Sequence, residues 1–310
     1  MGSGHLIDRR GKSLMLRSRI AAVAGSAVLL AALTACGSSS SGSTAATSSK
    51  AGGAATTSAA DTCAKGSLTL VTPGKFTIGT DDPAYEPWFK DGKPANGQGY
   101  ESAVAFAVAK KLGFEATDVT WVTVPFTNAI TPGKKAFDVD INQVSISEER
   151  RKAVDFSTGY YDVAQAVISY KGSPIDGKTT VADLAGAKLG AQVGTTSYKA
   201  ITDQIKPSKT PGVYDTNDLA VQALKNKQID GIVADVPTAF YMTAAQLDNG
   251  VIVGQLPAAG GTQEQFGMVL SKGSALTPCV SKAVDALRAD GTLAKLATQW
   301  LTNAGAPALK

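Results

Sequence analysis

The chain has 310 residues, 44% hydrophobic and 18% charged, with a formal charge of +4; this is ordinary globular composition with room for about two domains. Arg9, Arg10, Lys12, Arg17 and Arg19 face Asp8 alone within 1–35, so the remainder is neutral and carries no basic patch for nucleic acid. The single histidine, His5, lies in the same segment, which leaves the rest unable to assemble a Ser-His-Asp or Cys-His triad or a histidine-rich zinc site.

Residues 1–35 read as an export signal. RRGKSLMLRSR is basic, and IAAVAGSAVLLAAL is an apolar run too short for a comfortable membrane span. Met15 is an alternative start, because MLRSRIAAV is a complete signal without the residues before it. Leu33-Thr34-Ala35-Cys36 closes the segment with small residues and resembles the lipobox of bacterial lipoproteins, which implies a lipid on Cys36 and attachment to the outer face of the cell membrane. An ordinary cleaved signal and an uncleaved anchor are the alternatives. Residues 36–62 are small and polar with nothing to bury, as expected of a disordered tether. About 24 such residues reach roughly 25–30 Å, enough to hold a domain just off a membrane. A leader without that role fits the composition equally. Cys63 and Cys279 flank the folded part. In an exported protein such a pair points to a disulfide, with two buried free thiols as the alternative. No CxxC or other metal spacing occurs.

From Ser67 onward, β-rich runs alternate with helical patterns. LTLVTPGKFTIGTD reads as a strand. YESAVAFAVAKKLGF reads as an amphipathic helix with Ala103, Val104, Ala107, Val108 and Leu112 on one face and Gly113 ending it. DVTWVTVPF, FDVDINQVSI, KLGAQVG, GVYDT and DGIVADV are further strands, with helices near 197–205 and 218–225. The C-terminal stretch from Ala275 to about Thr302 is helical with a break at Asp290-Gly291. This alternation predicts an α/β fold with parallel pairing, in which ligands bind beyond the carboxyl ends of strands. No internal repeat, P-loop or other cofactor loop is present.

Four strand ends carry polar residues: GTDDPAYEPW, NQVSISEER, QVGTTS and VADVP. In the second, Ser147 or Ser145 can cap a helix with Glu148 and Glu149 in its first turn. Arg150 in that same turn is mildly unfavourable against the helix dipole. Its guanidinium either grips a carboxylate bidentately or pairs with Glu148 or a neighbouring acid on a solvated face. Thr195 and Thr196 are suited to an anion or to plain capping. Asp235 can accept from an ammonium or can cap the helix starting near Pro237. Tyr85 and Trp88, with Asp81 and Asp82 beside them, offer aromatic walls or ordinary packing. Together these ends hold a cation for a carboxylate, an acid for an ammonium and rings for a side chain, the inventory for a free amino acid.

The motifs GTDDPAYEPW, GYESAVAFAVAKKLGF, FDVDINQVSISEERRKAVDFSTGYY, DLAGAKLGAQVGTTS, ALKNKQIDGIVADVPTA and ALRADGTLAKLATQW occur in order from about Lys75 to Trp300. Taken together, they resemble the extracellular solute-binding proteins of polar amino-acid ABC importers, solute-binding family 3. The resemblance implies two Rossmann-like lobes with mixed, mostly parallel sheets, joined by a two-strand hinge, in the type II periplasmic-binding-protein arrangement. Lobe 1 would comprise 66–162 plus 264–310, and lobe 2 163–263. Cys63, just ahead of lobe 1, and Cys279 within it then belong to the same lobe, which favours the disulfide. The resemblance implies that Arg150 clamps the ligand α-carboxylate with Thr195 and Thr196, and that Asp235 accepts from the α-ammonium. Ser145 would share contacts beside the clamp, Tyr85, Trp88 and Phe126 would wall the side-chain pocket, and Asp81 would lie at its floor. Asn142 and Gln143 stand where many members have Ser-Ser or Gly-Met, and GTDDPAY is one residue longer than the commoner GTDPTY, so side-chain preference does not carry over.

A monomeric, membrane-anchored binding protein that hands an amino acid to an ABC permease is therefore expected, with no cofactor. An enzyme on the same fold, such as a cyclohexadienyl dehydratase, is the alternative. It loses ground because Glu86 and the capping pair Glu148 and Glu149 are the only glutamates in the cleft segments. A ligand-sensing role is the third reading.

Overall fold

The computed structural model describes residues 62–301 and 305–310. The expected signal over 1–35, Cys36 and all but the last residue of the tether lie outside them.

The chain enters a first sheet through β1 (Phe76–Thr80), β2 (Val119–Thr123), β3 (Val139–Asp140) and β4 (Val154–Val163). It crosses at Ala164 into a second sheet made of β5 (Gln165–Tyr170), β6 (Leu189–Gln192), β7 (Gly212–Tyr214), β8 (Gly231–Asp235) and β9 (Gly250–Gln255). It then returns through 256–263 to the first sheet as β10 (Glu264–Ser271). The strand orders are β2-β1-β3-β10-β4 and β7-β6-β8-β5-β9.

The expectation of mostly parallel sheets needs refinement. In each sheet two junctions are parallel and two antiparallel. The reason is the double crossing: the chain leaves the first sheet on β4 and comes back on β10, its neighbour, and does likewise on β5 and β9. Strands that run out and back side by side must be antiparallel.

Among the described residues eight α-helices flank these sheets: α1 (Tyr100–Lys111), α2 (Phe126–Ile130), α3 (Glu148–Arg151), α4 (Thr196–Ala200), α5 (Asn217–Lys225), α6 (Val236–Tyr241), α7 (Thr277–Ala289) and α8 (Thr292–Trp300). Gly113 follows α1 at φ 86, the left-handed conformation that glycine adopts at little cost. The buried side of α1 is wider than its apolar stripe. Val104 and Val108 are buried as expected, but so are Ala105, Ala109 and Glu101, while Ala103 and Ala107 are only half-buried. Both α7 and α8 pack on α1 and cover what the pattern left for water.

A second correction concerns the chain end. Residues up to 310 were expected in lobe 1, yet the last few join the second sheet. Gln255 donates to the Pro307 carbonyl at 2.7 Å, Leu309 donates back to Gln255 at 2.8 Å, and Leu309 is buried in the second core. The edge of β9 offers unpaired backbone groups, and the tail satisfies them. On the first sheet, a disulfide joins Cys63 to Cys279 of α7, with Cα atoms 5.3 Å apart.

Candidate functional site

The carboxyl ends of β1, β6 and β8 meet at a polar cleft between the two sheets. Asp81, Tyr85, Phe126, Asn142, Gln143 and Arg150 line it from the first side. Gln192, Thr195, Thr196, Ser197, Asn217 and Asp235 line it from the second.

Arg150 sits in α3, which Ser147 caps by accepting from the Arg150 N–H at 3.2 Å. Cap and clamp are thus adjacent, and Ser147 rather than Ser145 is the cap. Glu148, exposed like Glu149 beside it, pairs with Arg151 at 3.5 Å and not with Arg150. The Arg150 guanidinium turns inward instead, donating to the Ser145 carbonyl at 2.6 Å and across the cleft to the Gly194 carbonyl at 2.9 Å. It lies 5.5 Å from the centre of the Phe126 ring, within cation–π range. Only 9% exposed, it has no carboxylate within ion-pair distance among the described residues, and burial lowers its pKa. A buried guanidinium held by two carbonyls and lacking an anion is a site for an anion.

Asp235 occupies the position before α6, but its side chain makes no capping bond. Its Oδ1 accepts from Gln165 Nε2 at 2.8 Å. Burial, with Glu264 adding repulsion, pushes its pKa up to about 8. An acid that titrates so high lacks a cation, and an ammonium arriving in the cleft would supply one. Thr195, by contrast, does the plain work of a cap: its hydroxyl accepts from the Tyr198 N–H at 3.1 Å and donates to the Gln192 carbonyl at 2.7 Å. Thr196 meets Ser145 across the cleft, Oγ to Oγ1, at 3.2 Å.

On the first wall, Asp81 accepts from the Phe126 N–H at 3.2 Å, and burial raises its pKa. Asp82 beside it is exposed. The Tyr85 hydroxyl accepts from the Asp218 N–H at 3.4 Å, and burial pushes its pKa up to about 12. Asn142 is buried with its Nδ2 unpartnered.

Two expected site residues are placed differently. Trp88 does not wall the cleft. It is wholly buried in the first core against Tyr100, Tyr161 and Phe266, and its indole N–H donates to Thr238 of α6 at 2.9 Å. Ser145 is buried and reaches the cleft only through its hydroxyl contact with Thr196.

Several residues were missed. Gln165 gathers the second wall: its Nε2 serves Asp235 and, at 3.1 Å, Glu264, while its Oε1 accepts from Ser197 at 2.6 Å. A glutamine heading the apolar strand QAVISY was the available signal. Gln192 and Asn217 also line the cleft at ends of short elements. The exclusion of further glutamates was incomplete, since Glu264 and Glu101 lie close behind the cleft walls without lining them.

Two α/β bodies joined by two strand crossings, with a polar cleft between them, define a two-lobed binding protein. Residues 76–303 match the bacterial extracellular solute-binding proteins, family 3, and the chain belongs to that family. It is similar to the ABC transporter arginine-binding protein 1 of Escherichia coli (strain K12), 33% identical over 226 residues, spanning 70% of this chain and 86% of that protein. It is likewise similar to the L-cystine-binding protein TcyJ of the same strain, 30% identical over 230 residues, 73% and 82% of the two chains. Among solved structures, an ancestral arginine-binding protein bound to arginine aligns with a TM-score of 0.59 at 30% identity, over 74% of this chain and 99% of that one. These relatives are named for binding and not for catalysis, which disfavours the dehydratase reading.

Proposed function

We propose that this chain captures a free amino acid between its two lobes and delivers it to an ABC permease in the membrane. The observation that carries the reading is the pairing of Arg150, a buried cation without an anion, with Asp235, an acid without a cation, on opposite walls of one cleft. Arg150 would receive the α-carboxylate in its guanidinium fork, with Thr196 and the backbone of 194–197 beside it. Asp235, held by Gln165, would accept from the α-ammonium. Tyr85, Phe126, Asp81, Asn142 and Gln143 would meet the side chain. The named ligands of the relatives, arginine and cystine, support the amino-acid class.

Calorimetric titration of ligand-stripped protein against the common amino acids and cystine tests the reading, with at least one binder expected. A folded protein that binds none of them would sink it. The lipobox-like LTAC supports export and a lipid on Cys36; the chain would act as a monomer. A Cys36→Ser variant should move from the membrane to the soluble fraction, and unchanged membrane attachment would refute the anchor. No helix among the described residues is long and apolar enough to cross a membrane.

A further inference from the structure

Behind Gln143 lies a buried acid with no part in the capture just described. Glu101, in the first turn of α1, is fully buried and makes no ion pair among the described residues. Its Oε1 accepts from the Gln143 backbone N–H at 2.7 Å and from the Tyr160 hydroxyl, and its Oε2 accepts from Gln143 Nε2. Gln143 is thus gripped twice by one side chain, and it is held at φ 49, a left-handed conformation that a glutamine does not favour. Strain of this kind persists only where the surroundings over-determine it.

The grip fixes the sense of the amide. An ionised carboxylate has no proton to give, so only the NH2 of the amide can face Glu101. The amide is planar, and its Oε1 is therefore turned away from Glu101; it has no partner among the described residues and belongs to a residue that lines the cleft. Asn142 next to it differs. No hydrogen bond among the described residues fixes its amide, whose Nδ2 is buried and unpartnered. Asp81 adds a second acceptor on the same wall.

We infer that Glu101 is a positioning residue that holds the Gln143 carbonyl oxygen toward the cleft, so that the site selects amino acids whose side chains end in N–H donors over neutral ones of similar length that only accept. The inference rests on the amino-acid reading. It commits that reading to amide, guanidinium or ammonium side chains.

Two measurements test it, the second made at pH 8.5, where Glu101, pushed by burial to about 7, is a carboxylate. The first needs no ligand. The Gln143 side-chain NH2 signals of nitrogen-15-labelled protein, identified by their loss in Gln143→Met, should shift as pH passes through about 7. That response should vanish in Glu101→Gln. Signals indifferent to both would overturn the positioning role. The second compares the tightest-binding donor-ended amino acid with L-methionine sulfoxide, a neutral acceptor. The wild type should favour the donor by about tenfold or more, and the ratio should fall to within about threefold in Glu101→Gln and in Gln143→Met. If the former fails to fold, the latter still decides. A ratio unmoved in Gln143→Met, or a panel led by acceptor-ended or apolar side chains, overturns the selectivity. A wholly silent panel sinks the amino-acid reading itself, and the ligand-free spectra still judge the Glu101–Gln143 grip. A merely structural Glu101 would alter stability without moving the ratio.

Discussion

The two walls of the cleft are built by different means. The first is assembled from distant parts of the chain. Asp81 is tied to Phe126, Gln143 to Glu101 and Arg150 across the cleft to Gly194, each partner more than 40 residues away in sequence. The second wall rests partly on local bonds, with Thr195 capping its own helix through Tyr198 and Gln192. One glutamine, Gln165, then gathers Ser197 and Asp235. The first wall therefore holds its groups in place through tertiary contacts. The second holds Thr195 through helix-terminus geometry and leaves Ser197 and Asp235 to the long-range ties of one residue, Gln165.

The sharpest way to break this contrast is to remove the cation of the first wall. Arg150→Ala should weaken amino-acid binding by about 2–5 kcal/mol, thirtyfold or more in Kd, while the melting temperature of ligand-free protein moves little. Calorimetry on both proteins reads the first effect and thermal unfolding the second. Collapse of the ligand-free fold would mean that the two carbonyl bonds of Arg150 are its purpose.

Next in size is the scaffold behind that wall. Replacing Cys63 and Cys279 together by serine opens a loop closed over a sequence separation of 216 residues, and should cost about 2–5 kcal/mol of stability. Kd should stay within about twofold, because the bridge lies on α7 and away from the cleft. A large change in affinity would show that the first wall is less rigid than its contacts indicate.

The second wall can be tested by pH. Asp235 titrates at about 8 when ligand-free, against an ordinary value of 3.8, so the folded state holds a proton there that the unfolded chain has lost. Stability of ligand-free protein should accordingly fall as pH rises from about 4 through 8. Binding should behave oppositely. The ammonium displaces that proton, so affinity should rise between pH 6 and 8 by up to about tenfold per unit. Titration in buffers of differing ionisation enthalpy should register proton release at pH 7. Flat affinity across this range would remove Asp235 from the ligand.

The smallest effect concerns the join between the walls. Trp88 belongs to the first body and Thr238 to the second, and their 2.9 Å hydrogen bond exists only when the two meet. Thr238→Val should weaken binding by about 1 kcal/mol, roughly fivefold, through loss of the closed arrangement. An unchanged Kd would mean that this bond adds nothing to closure.

Much of the cleft was legible in the chain because its groups sit at strand ends, where turn chemistry and the break in periodicity are local signals. Arg150 stood out as a cation in the first turn of a helix, and Asp235 as an acid closing an apolar strand. Trp88 was misread, since nothing local distinguishes a ring that walls a cleft from one that fills a core. Glu101 escaped notice for a related reason. An acid in a first turn is satisfied by the helix dipole alone, so only the bonds that Gln143 and Tyr160 make to it reveal a buried carboxylate.

The sequence by itself determined the α/β alternation, the polar strand ends and the absence of histidine chemistry beyond residue 5, because propensity, capping and residue inventory act over a few neighbours. Tertiary structure alone decided that the pairings in each sheet divide evenly, that the chain end docks on the second sheet, and that Gln143 is gripped by Glu101. Those outcomes depend on which distant groups meet and on how each buried polar atom finds a partner, and no short stretch of chain contains both halves of that bond.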